Sequence, residues 1–311
     1  KTGDIRYCVS CNSCWRSIIE AGALACDNNP KVGEPDEHLV AAPSVATRRH
    51  VVVVGTGVAA LEAAHTAAAN GHKVTVLGDH DTFGGKTRLH AQMPGGENLS
   101  SVYDYQYLRA QRLGVKFELG RQANIDDVLS CNPDAVLLAT GSRSARPEWL
   151  PEEWFTQGLI SSLRDMAKQL AQGMGRAAGR AVIVDQDHTE MTYATALRMA
   201  NYFDQITLVT SRERFANDVS LINRQGILKR LFESQVELIC HVEPEGVAQL
   251  EEGQFTLRNV YNGTLETLKS VATVIHASSR VPNDFLLEPL LAEGLDAIPV
   301  GDCKAPRSLM A

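Results

Sequence analysis

The chain has 311 residues, of which 44% are hydrophobic and 22% are charged, and its formal net charge is −7. This balance is typical of a folded protein of about two domains and argues against a disordered chain. The negative charge argues against nucleic acid or an anionic membrane as the main partner, and no apolar run approaches the roughly 20 residues of a membrane-spanning helix.

The scattered cysteines indicate a cellular compartment, and the two ends of the chain indicate a longer polypeptide. No signal peptide is visible, and Cys131, Cys240 and Cys303 are far apart in the sequence. Unclustered thiols suit a reducing compartment, so we expect a cytoplasmic protein. The chain begins at Lys1 rather than at methionine, and it stops at Ala311 soon after a motif that normally leads into a helix. We therefore expect it to be part of a longer polypeptide.

Four cysteines lie close together near the start of the chain. Cys8, Cys11, Cys14 and Cys26 have the spacing C-x2-C-x2-C-x11-C. Closely spaced thiolates can reach three iron corners of a [4Fe-4S] cluster, and the fourth cysteine can close the last corner. Zinc sites more often combine two C-x2-C pairs that a longer stretch separates. The spacing favours an iron–sulfur segment over residues 1–47, with zinc, disulfides or unligated thiols as the alternatives.

A predicted strand after this segment leads directly into a glycine-containing turn. The four-valine run 51–54 is typical of a strand buried in a parallel sheet. Gly55, Gly57 and Ala60 then occupy the small-residue positions of the G-x-G-x-x-G/A pattern. Gly55 allows a tight turn, Gly57 lets the backbone approach a pyrophosphate, and Ala60 lets the helix pack closely on its strand.

The elements after this turn complete the pattern of a dinucleotide-binding fold. An alanine-rich helix runs to about residue 69, and a second strand is predicted over 73–77. Asp79 follows that strand, 24 residues after Gly55, and is the candidate partner of the adenosine ribose. Because strand, turn, helix, strand and acid come in this order, the sequence predicts a dinucleotide site. The alternative is a glycine turn that binds nothing.

Three later motifs fit the same domain. FGGKT has paired glycines that would let a loop run close to a flavin. It also resembles the end of a phosphate-binding P-loop, but His80 occupies the position of that motif's first glycine. ATG ends a predicted buried strand, and GD lies near the end of the chain. The candidate cofactor-binding residues in these motifs are Gly84, Gly85, Lys86, Thr140, Gly141, Gly301 and Asp302.

A second strand–helix–strand pattern lies between the ATG and GD motifs. Its predicted elements are a strand over 181–184, a helix from 191 to about 201 and a strand over 206–209. We therefore expect an α/β protein with two Rossmann-like dinucleotide-binding domains, one inserted in the other, preceded by the short [4Fe-4S]-binding segment. The predicted domains are 48–156 with 281–311, and the inserted 157–280.

The loop of this second unit differs from the first. Residues 185–190 contain no glycine, and they carry Asp185, Asp187 and Glu190. Carboxylates at a helix N-terminus compete with a phosphate for the amide groups there. We therefore expect the inserted domain to have kept its fold and lost its NAD(P)H site.

The whole arrangement resembles the C-terminal half of an iron–sulfur flavoprotein family. The family includes trimethylamine dehydrogenase, histamine dehydrogenase, N-methyl amino acid demethylases and 2,4-dienoyl-CoA reductase. The resemblance covers essentially all 311 residues, and its most specific motifs are IRYCVSCNSCW, GTGVAALEAA, ATGS and GDCKAPR. It implies that the four clustered cysteines hold a [4Fe-4S] cluster and that the first dinucleotide fold holds FAD or ADP. It also implies FMN in an N-terminal (β/α)8 barrel that lies outside this sequence.

The resemblance implies the electron-transfer half of an FMN/[4Fe-4S] oxidoreductase. With an acidic loop in place of a second nucleotide site, the chain is similar to the amine and N-methyl amino acid dehydrogenases. Electrons there pass from FMN through the cluster to an electron-transferring flavoprotein. The expected partners are therefore that flavoprotein, the barrel in the same polypeptide or in a partner subunit, and a second copy of the chain. The alternatives are an NAD(P)H-dependent 2,4-dienoyl-CoA or enoate reductase and a non-catalytic ADP-binding subunit. We expect no catalytic residue in this chain.

Overall fold

A computed structural model describes residues 5–20, 22–35, 37, 45 and 47–307 of the chain. In this part the strands are β1 (His50–Val54), β2 (Lys73–Leu77), β3 (Lys116–Glu118), β4 (Ala135–Leu138), β5 (Ser142–Ser144), β6 (Ser161–Ser162), β7 (Arg180–Asp185), β8 (Gln205–Val209), β9 (Glu237–Ile239), β10 (Val242–Gly246), β11 (Phe255–Asn259), β12 (Leu265–Leu268), β13 (Val271–Ala277), β14 (Arg280–Pro282) and β15 (Ala297–Pro299).

The helices alternate with these strands, as in other α/β proteins. They are α1 (Ser13–Ile19), α2 (Val58–Ala69), α3 (Gly85–Ala91), α4 (Ser100–Arg112), α5 (Ile125–Ser130), α6 (Glu152–Thr156), α7 (Leu163–Gln172), α8 (Glu190–Met199), α9 (Leu221–Glu233) and α10 (Leu287–Ala292). Short 3-10 turns cover Glu97–Leu99, Leu250–Glu252 and Gly301–Cys303. No helix in the described part of the chain combines the length and apolarity that a bilayer crossing requires.

Contacts divide the chain into two compact units. The first contains the described residues within 1–91, 98–143 and 280–311, and the second contains 92–97 and 144–279. The second unit is thus inserted in the first along the sequence. Its longer segment runs from residue 144 and includes the fully buried Leu150, which belongs to its hydrophobic core. The bounds of 157–280 stay a prediction.

The first unit is built on a parallel sheet with the strand order β15-β4-β1-β2-β3. β1 lies at its centre, where Val51 pairs with Val74 of β2 and with Ala135 of β4. Val52 and Val53 are fully buried, as expected for a strand that is covered on both faces. The small buried residues of α2 pack on this sheet and bring the N-terminus of the helix close to the carboxyl end of β1.

The second unit contains a parallel sheet of order β6-β13-β7-β8-β9 and an antiparallel sheet of order β10-β11-β12. β7, α8 and β8 form the second strand–helix–strand unit that the sequence predicts. The antiparallel sheet is not among the sequence predictions. Its central strand alternates buried and less buried side chains, and Phe255 and Leu257 enter the same core as Val182. The α/β fold with parallel sheets is therefore confirmed.

Candidate functional site

The glycine turn of the first unit leaves space at the N-terminus of α2. Gly55 has a φ of 127°, and a Cβ at this position would lie 2.3 Å from the carbonyl oxygen of Ala139, so only glycine fits. Gly57 is the N-cap of α2, and a Cβ there would meet no described atom within 4 Å. The first turn of α2 carries no acidic side chain. Its amide groups and the positive end of its dipole can therefore receive a phosphate.

The other small residues of this unit surround the same turn. Ala60 is fully buried between α2 and the sheet. Gly84 forms an isolated bridge with Gly57, and its N–H donates a 2.9 Å hydrogen bond to the carbonyl oxygen of Thr56. A Cβ on Gly85 would lie 3.2 Å from the Cα of Gly57. The paired glycines of FGGKT therefore run against the glycine turn, which brings two of the predicted motifs together.

Asp79 lies just beyond the end of β2 with its carboxylate in contact with solvent. The side chain is 54% exposed, and its Oδ2 atom lies 3.7 Å from Nε2 of His80. The carboxyl ends of parallel strands are where α/β folds bind ligands. The position of Asp79 suits a ribose hydroxyl, and its role as a nucleotide partner stays a prediction.

Asp302 lies in a cluster of donors rather than alone. Its Oδ2 atom accepts hydrogen bonds from Nζ of Lys86 at 2.6 Å, Oγ of Ser142 at 2.9 Å and Nη1 of Arg280 at 3.3 Å. Burial would raise the pKa of Asp302, but the charges of the two cations and the hydroxyl outweigh burial, and the pKa lies below its ordinary value. Two residues that the sequence assigned to a cofactor, Lys86 and Asp302, therefore bind each other.

Sequence reasoning missed two members of this cluster. Ser142 directly follows the ATG motif, so the motif could have indicated it. Arg280 carries no comparable signal, because it reaches Asp302 from 22 residues away through the fold.

Thr140 and Gly141 join β4 to a distant part of the first unit. The hydroxyl of Thr140 donates to the carbonyl oxygen of Asn283 at 2.5 Å, and its oxygen lies 3.2 Å from Sγ of Cys303. The carbonyl oxygen of Gly141 accepts a 3.0 Å hydrogen bond from the Asn283 N–H. Cys303 is a buried thiol whose pKa is raised by burial. The ATG turn thus has a structural role, and contact with a cofactor stays a prediction for it and for Gly301.

In the second unit, side chains of the loop and of α8 fill the position that corresponds to the glycine turn. Oδ1 of Asp185 accepts a 2.9 Å hydrogen bond from the N–H of His188, and Oδ2 accepts one of 2.6 Å from the hydroxyl of Tyr193. That hydroxyl accepts in turn from the N–H of Ala216 at 2.6 Å. Asp185, His188 and Tyr193 are at most 1% exposed.

A second carboxylate of the same loop binds the start of α8. Oδ1 of Asp187 accepts hydrogen bonds from the N–H of Thr189 at 3.0 Å and from the hydroxyl of Thr192 at 2.7 Å. Glu190 adds another acid in the first turn of α8. Whereas the start of α2 offers space and no negative charge, the start of α8 is filled and acidic. A pyrophosphate there would meet carboxylates beside the amide groups of the helix.

The electrostatics of this loop follow from its burial. Burial and the charge of Asp187 raise the pKa of Asp185 to about 7, despite the hydrogen bonds from Tyr193 and His188. Burial and the nearby Arg212 lower the pKa of His188 to about 4. At neutral pH the imidazole is therefore uncharged and offers no positive charge to a phosphate. The geometry agrees with a second fold whose nucleotide site is closed.

The predicted cluster ligands lie around α1: Cys8 and Cys11 precede the helix, Cys14 is within it and Cys26 follows it. Cys8 and Cys14 are exposed, Cys11 and Cys26 are half-buried, and none of the four forms a disulfide. The described residues contain no group of three or more His, Cys, Asp or Glu side chains arranged to hold a metal ion. The iron–sulfur segment therefore remains a prediction.

The backbone of this segment nevertheless suits a cluster. Ser10 and Asn12, on either side of Cys11, both have a φ of 58°, so the chain winds tightly around that cysteine. The N–H of Ser10 donates to Sγ of Cys8 at 3.4 Å, the kind of bond that tunes a cluster thiolate. Oδ1 of Asp27 is buried without a hydrogen-bond partner among the described residues. Four thiols within a run of nineteen residues are, by their chemistry, a donor set that fits a [4Fe-4S] cluster.

Comparison with known proteins places this geometry in a family. The family model for pyridine nucleotide-disulphide oxidoreductases matches residues 49–298. A probable N-methylproline demethylase from Rhizobium meliloti is 33% identical over 226 residues, which is 71% of this chain and 31% of that protein. Bilirubin reductase from Mediterraneibacter gnavus is 26% identical over 96% of this chain and 44% of its own length.

A solved structure has the same fold. Histamine dehydrogenase from Rhizobium sp. 4-9 superimposes with a TM-score of 0.85 at 23% identity, over 99% of this chain and 46% of that one. The chain thus spans less than half the length of each of these three proteins. The resemblance to the flavoprotein half of the demethylase and dehydrogenase family is confirmed. The chain belongs to the pyridine nucleotide-disulphide oxidoreductase family, a family of flavoprotein oxidoreductases.

Proposed function

We propose that this chain is the electron-transfer half of an oxidoreductase that oxidises an amine or an N-methyl amino acid. The closed loop of residues 185–190 carries the proposal. An NAD(P)H-dependent reductase must bind that nucleotide, and the loop before α8 is acidic, with the N–H groups of His188 and Thr189 already bonded to its own carboxylates. Similarity to an N-methylproline demethylase and to histamine dehydrogenase supports the same direction of electron flow, outward from a substrate.

The four clustered cysteines are the proposed ligands of a [4Fe-4S] cluster. Such a cluster accepts and passes on one electron at a time. The thiolates of Cys8, Cys11, Cys14 and Cys26 hold it, and the Ser10 N–H that points at Cys8 adjusts its potential. The substrate and FMN belong to a barrel outside this chain, and an electron-transferring flavoprotein is the proposed acceptor.

The first dinucleotide fold is the proposed site of FAD or ADP. The amide groups at the start of α2 bind the pyrophosphate, with Gly55 and Gly57 providing the close approach. Asp79 accepts hydrogen bonds from the ribose hydroxyls. The family match favours a flavin there, whereas outward electron flow through the cluster needs only ADP.

The second candidate function is an NAD(P)H-dependent reductase. Bilirubin reductase matches 96% of this chain, more than the demethylase does, and this favours it. This function requires NAD(P)H to bind beside residues 185–190. The buried hydrogen bonds of Asp185 and Tyr193 would have to break first.

Anaerobic purification of the full chain tests the proposal. We expect about four irons with matching labile sulfide per chain, a nucleotide that mass spectrometry identifies, and no change of the absorption spectrum when NADPH is added. Bleaching of a bound flavin by NADPH would favour the reductase. Zinc in place of iron would contradict both functions.

A further inference from the structure

A half-buried ion pair connects the cysteine segment to the helix of the nucleotide site. Nη2 of Arg6 lies 2.9 Å from Oε1 of Glu62, and the two side chains are only 17% and 27% exposed. Oε2 of Glu62 also accepts from Nε2 of Gln106 at 2.8 Å and lies 3.0 Å from Nε2 of His65. Burial would raise the pKa of Glu62, but His65 and Arg6 lower it to about 2. Glu62 is therefore ionised throughout the physiological range.

Arg6 also links the two ends of the cysteine run. Nη1 of Arg6 donates to the carbonyl oxygen of Asn28 at 2.5 Å, and Nδ2 of Asn28 donates to the carbonyl oxygen of Tyr7 at 2.6 Å. Residues 6–7 and 28 lie within two residues of the ends of the run from Cys8 to Cys26. The guanidinium also lies 4.5 Å from the centre of the Tyr105 ring on α4, where a cation–π contact holds it in place.

Glu62 belongs to α2, whose N-terminal cap is Gly57. A group held by the cysteines and a phosphate held at the start of α2 would therefore rest on one helix. A helix is stiff along its axis. Breaking a half-buried ion pair that has extra hydrogen bonds leaves one charge partly buried without its partner, which destabilises the structure. Arg16 and Glu20 form an exposed ion pair on the same segment, with side chains 37% and 59% exposed. Such a pair contributes far less to stability.

We propose that Arg6 and Glu62 are positioning residues that lock the closed cysteine loop onto α2, and so set the geometry of the cluster relative to the nucleotide site. This inference rests on the proposed function for the identity of the cluster. The lock itself is a property of the chain without any cluster, so the two can be tested separately.

The test uses the full chain with Glu62→Gln and Arg6→Gln, singly and together, and with Glu20→Gln as the matched control on an exposed pair. Hydrogen exchange of the cluster-free protein is followed by mass spectrometry. We expect exchange of residues 5–28 to quicken by at least about tenfold in each lock variant and to stay unchanged in the control. The double variant should be no faster than the faster single variant, because both changes remove the same contact.

The cluster-loaded protein supplies the second readout. We expect a chelator to remove iron about tenfold faster from Arg6→Gln than from the control, and the spectrum of the reduced cluster in electron paramagnetic resonance to broaden. Arg6→Gln leaves α2 intact, so it remains informative if Glu62→Gln misfolds. Unchanged exchange of residues 5–28 in Arg6→Gln would overturn the lock. Changed exchange in a protein that takes up no iron would support the lock and contradict the cluster.

Discussion

The Tyr193 hydroxyl donates a 2.6 Å hydrogen bond to Asp185 and accepts one of the same length from the N–H of Ala216. These two hydrogen bonds lie at the carboxyl end of β7. The corresponding place in the first unit is the open space at Gly57. Two strand–helix–strand units of one chain have thus reached opposite outcomes. One presents the start of a helix to a phosphate, and the other seals that start with side chains.

Removal of the Tyr193 hydroxyl should destabilise the second unit. Tyr193→Phe leaves an oxygen of Asp185 and the N–H of Ala216 without their partner inside a site that excludes water. We expect the free energy of unfolding in urea to fall by about 1–3 kcal/mol. Tyr261→Phe is the control, because Tyr261 is 72% exposed and should change little. Equal stability of the two variants would show that the buried bond contributes nothing.

The buried Asp185 should make stability depend on pH in a defined direction. The pKa of Asp185 is about 7 in the folded chain, against an ordinary value of 3.8. Its contribution to the free energy of unfolding is therefore fully present below about pH 4 and is lost as the pH rises through about 7. Asp185→Asn removes this loss. As the pH rises from 4 to 7, the wild type should therefore lose free energy of unfolding relative to the variant. Urea melts at each pH measure this difference. A constant difference across this range would mean that Asp185 is ionised throughout.

The two glycines of the first turn should respond differently to alanine. Gly57→Ala puts a methyl group into the space above α2 without a clash, so the chain should fold normally and bind ADP at least about tenfold more weakly. Gly55→Ala would place its Cβ 2.3 Å from a carbonyl oxygen at a φ of 127°, which should cost about 3 kcal/mol or more of stability. Calorimetric titration with ADP and thermal melts separate the two effects. Unweakened ADP binding by Gly57→Ala would place the nucleotide elsewhere.

Local patterns in the sequence predicted the elements that carry the two turns. The valine run and the strand over 73–77 match β1 and β2, and the alanine-rich helix ends at Ala69 as expected. These elements follow from a run of buried β-branched residues and from small residues at fixed spacing, which neighbours in sequence specify.

Contacts between distant residues could not be predicted in this way. Lys86 reaches Asp302 across 216 residues, and Arg6 reaches Glu62 across 56. A charged residue looks the same in sequence whether it is solvated or paired with a partner that the fold brings near. The sequence indicated that the loop of residues 185–190 was acidic, but not that Tyr193 from α8 would complete its seal.

Binding of NADPH to the full chain distinguishes a closed second nucleotide site from an open one. Calorimetric titration should give no saturable binding at the second unit, and any weak binding should disappear in Gly57→Ala because it takes place at the first turn. NADPH binding that survives Gly57→Ala and is abolished by substitutions in residues 185–190 would contradict a closed second nucleotide site. It would mean that the loop opens to a pyridine nucleotide and that electrons enter the chain from NAD(P)H.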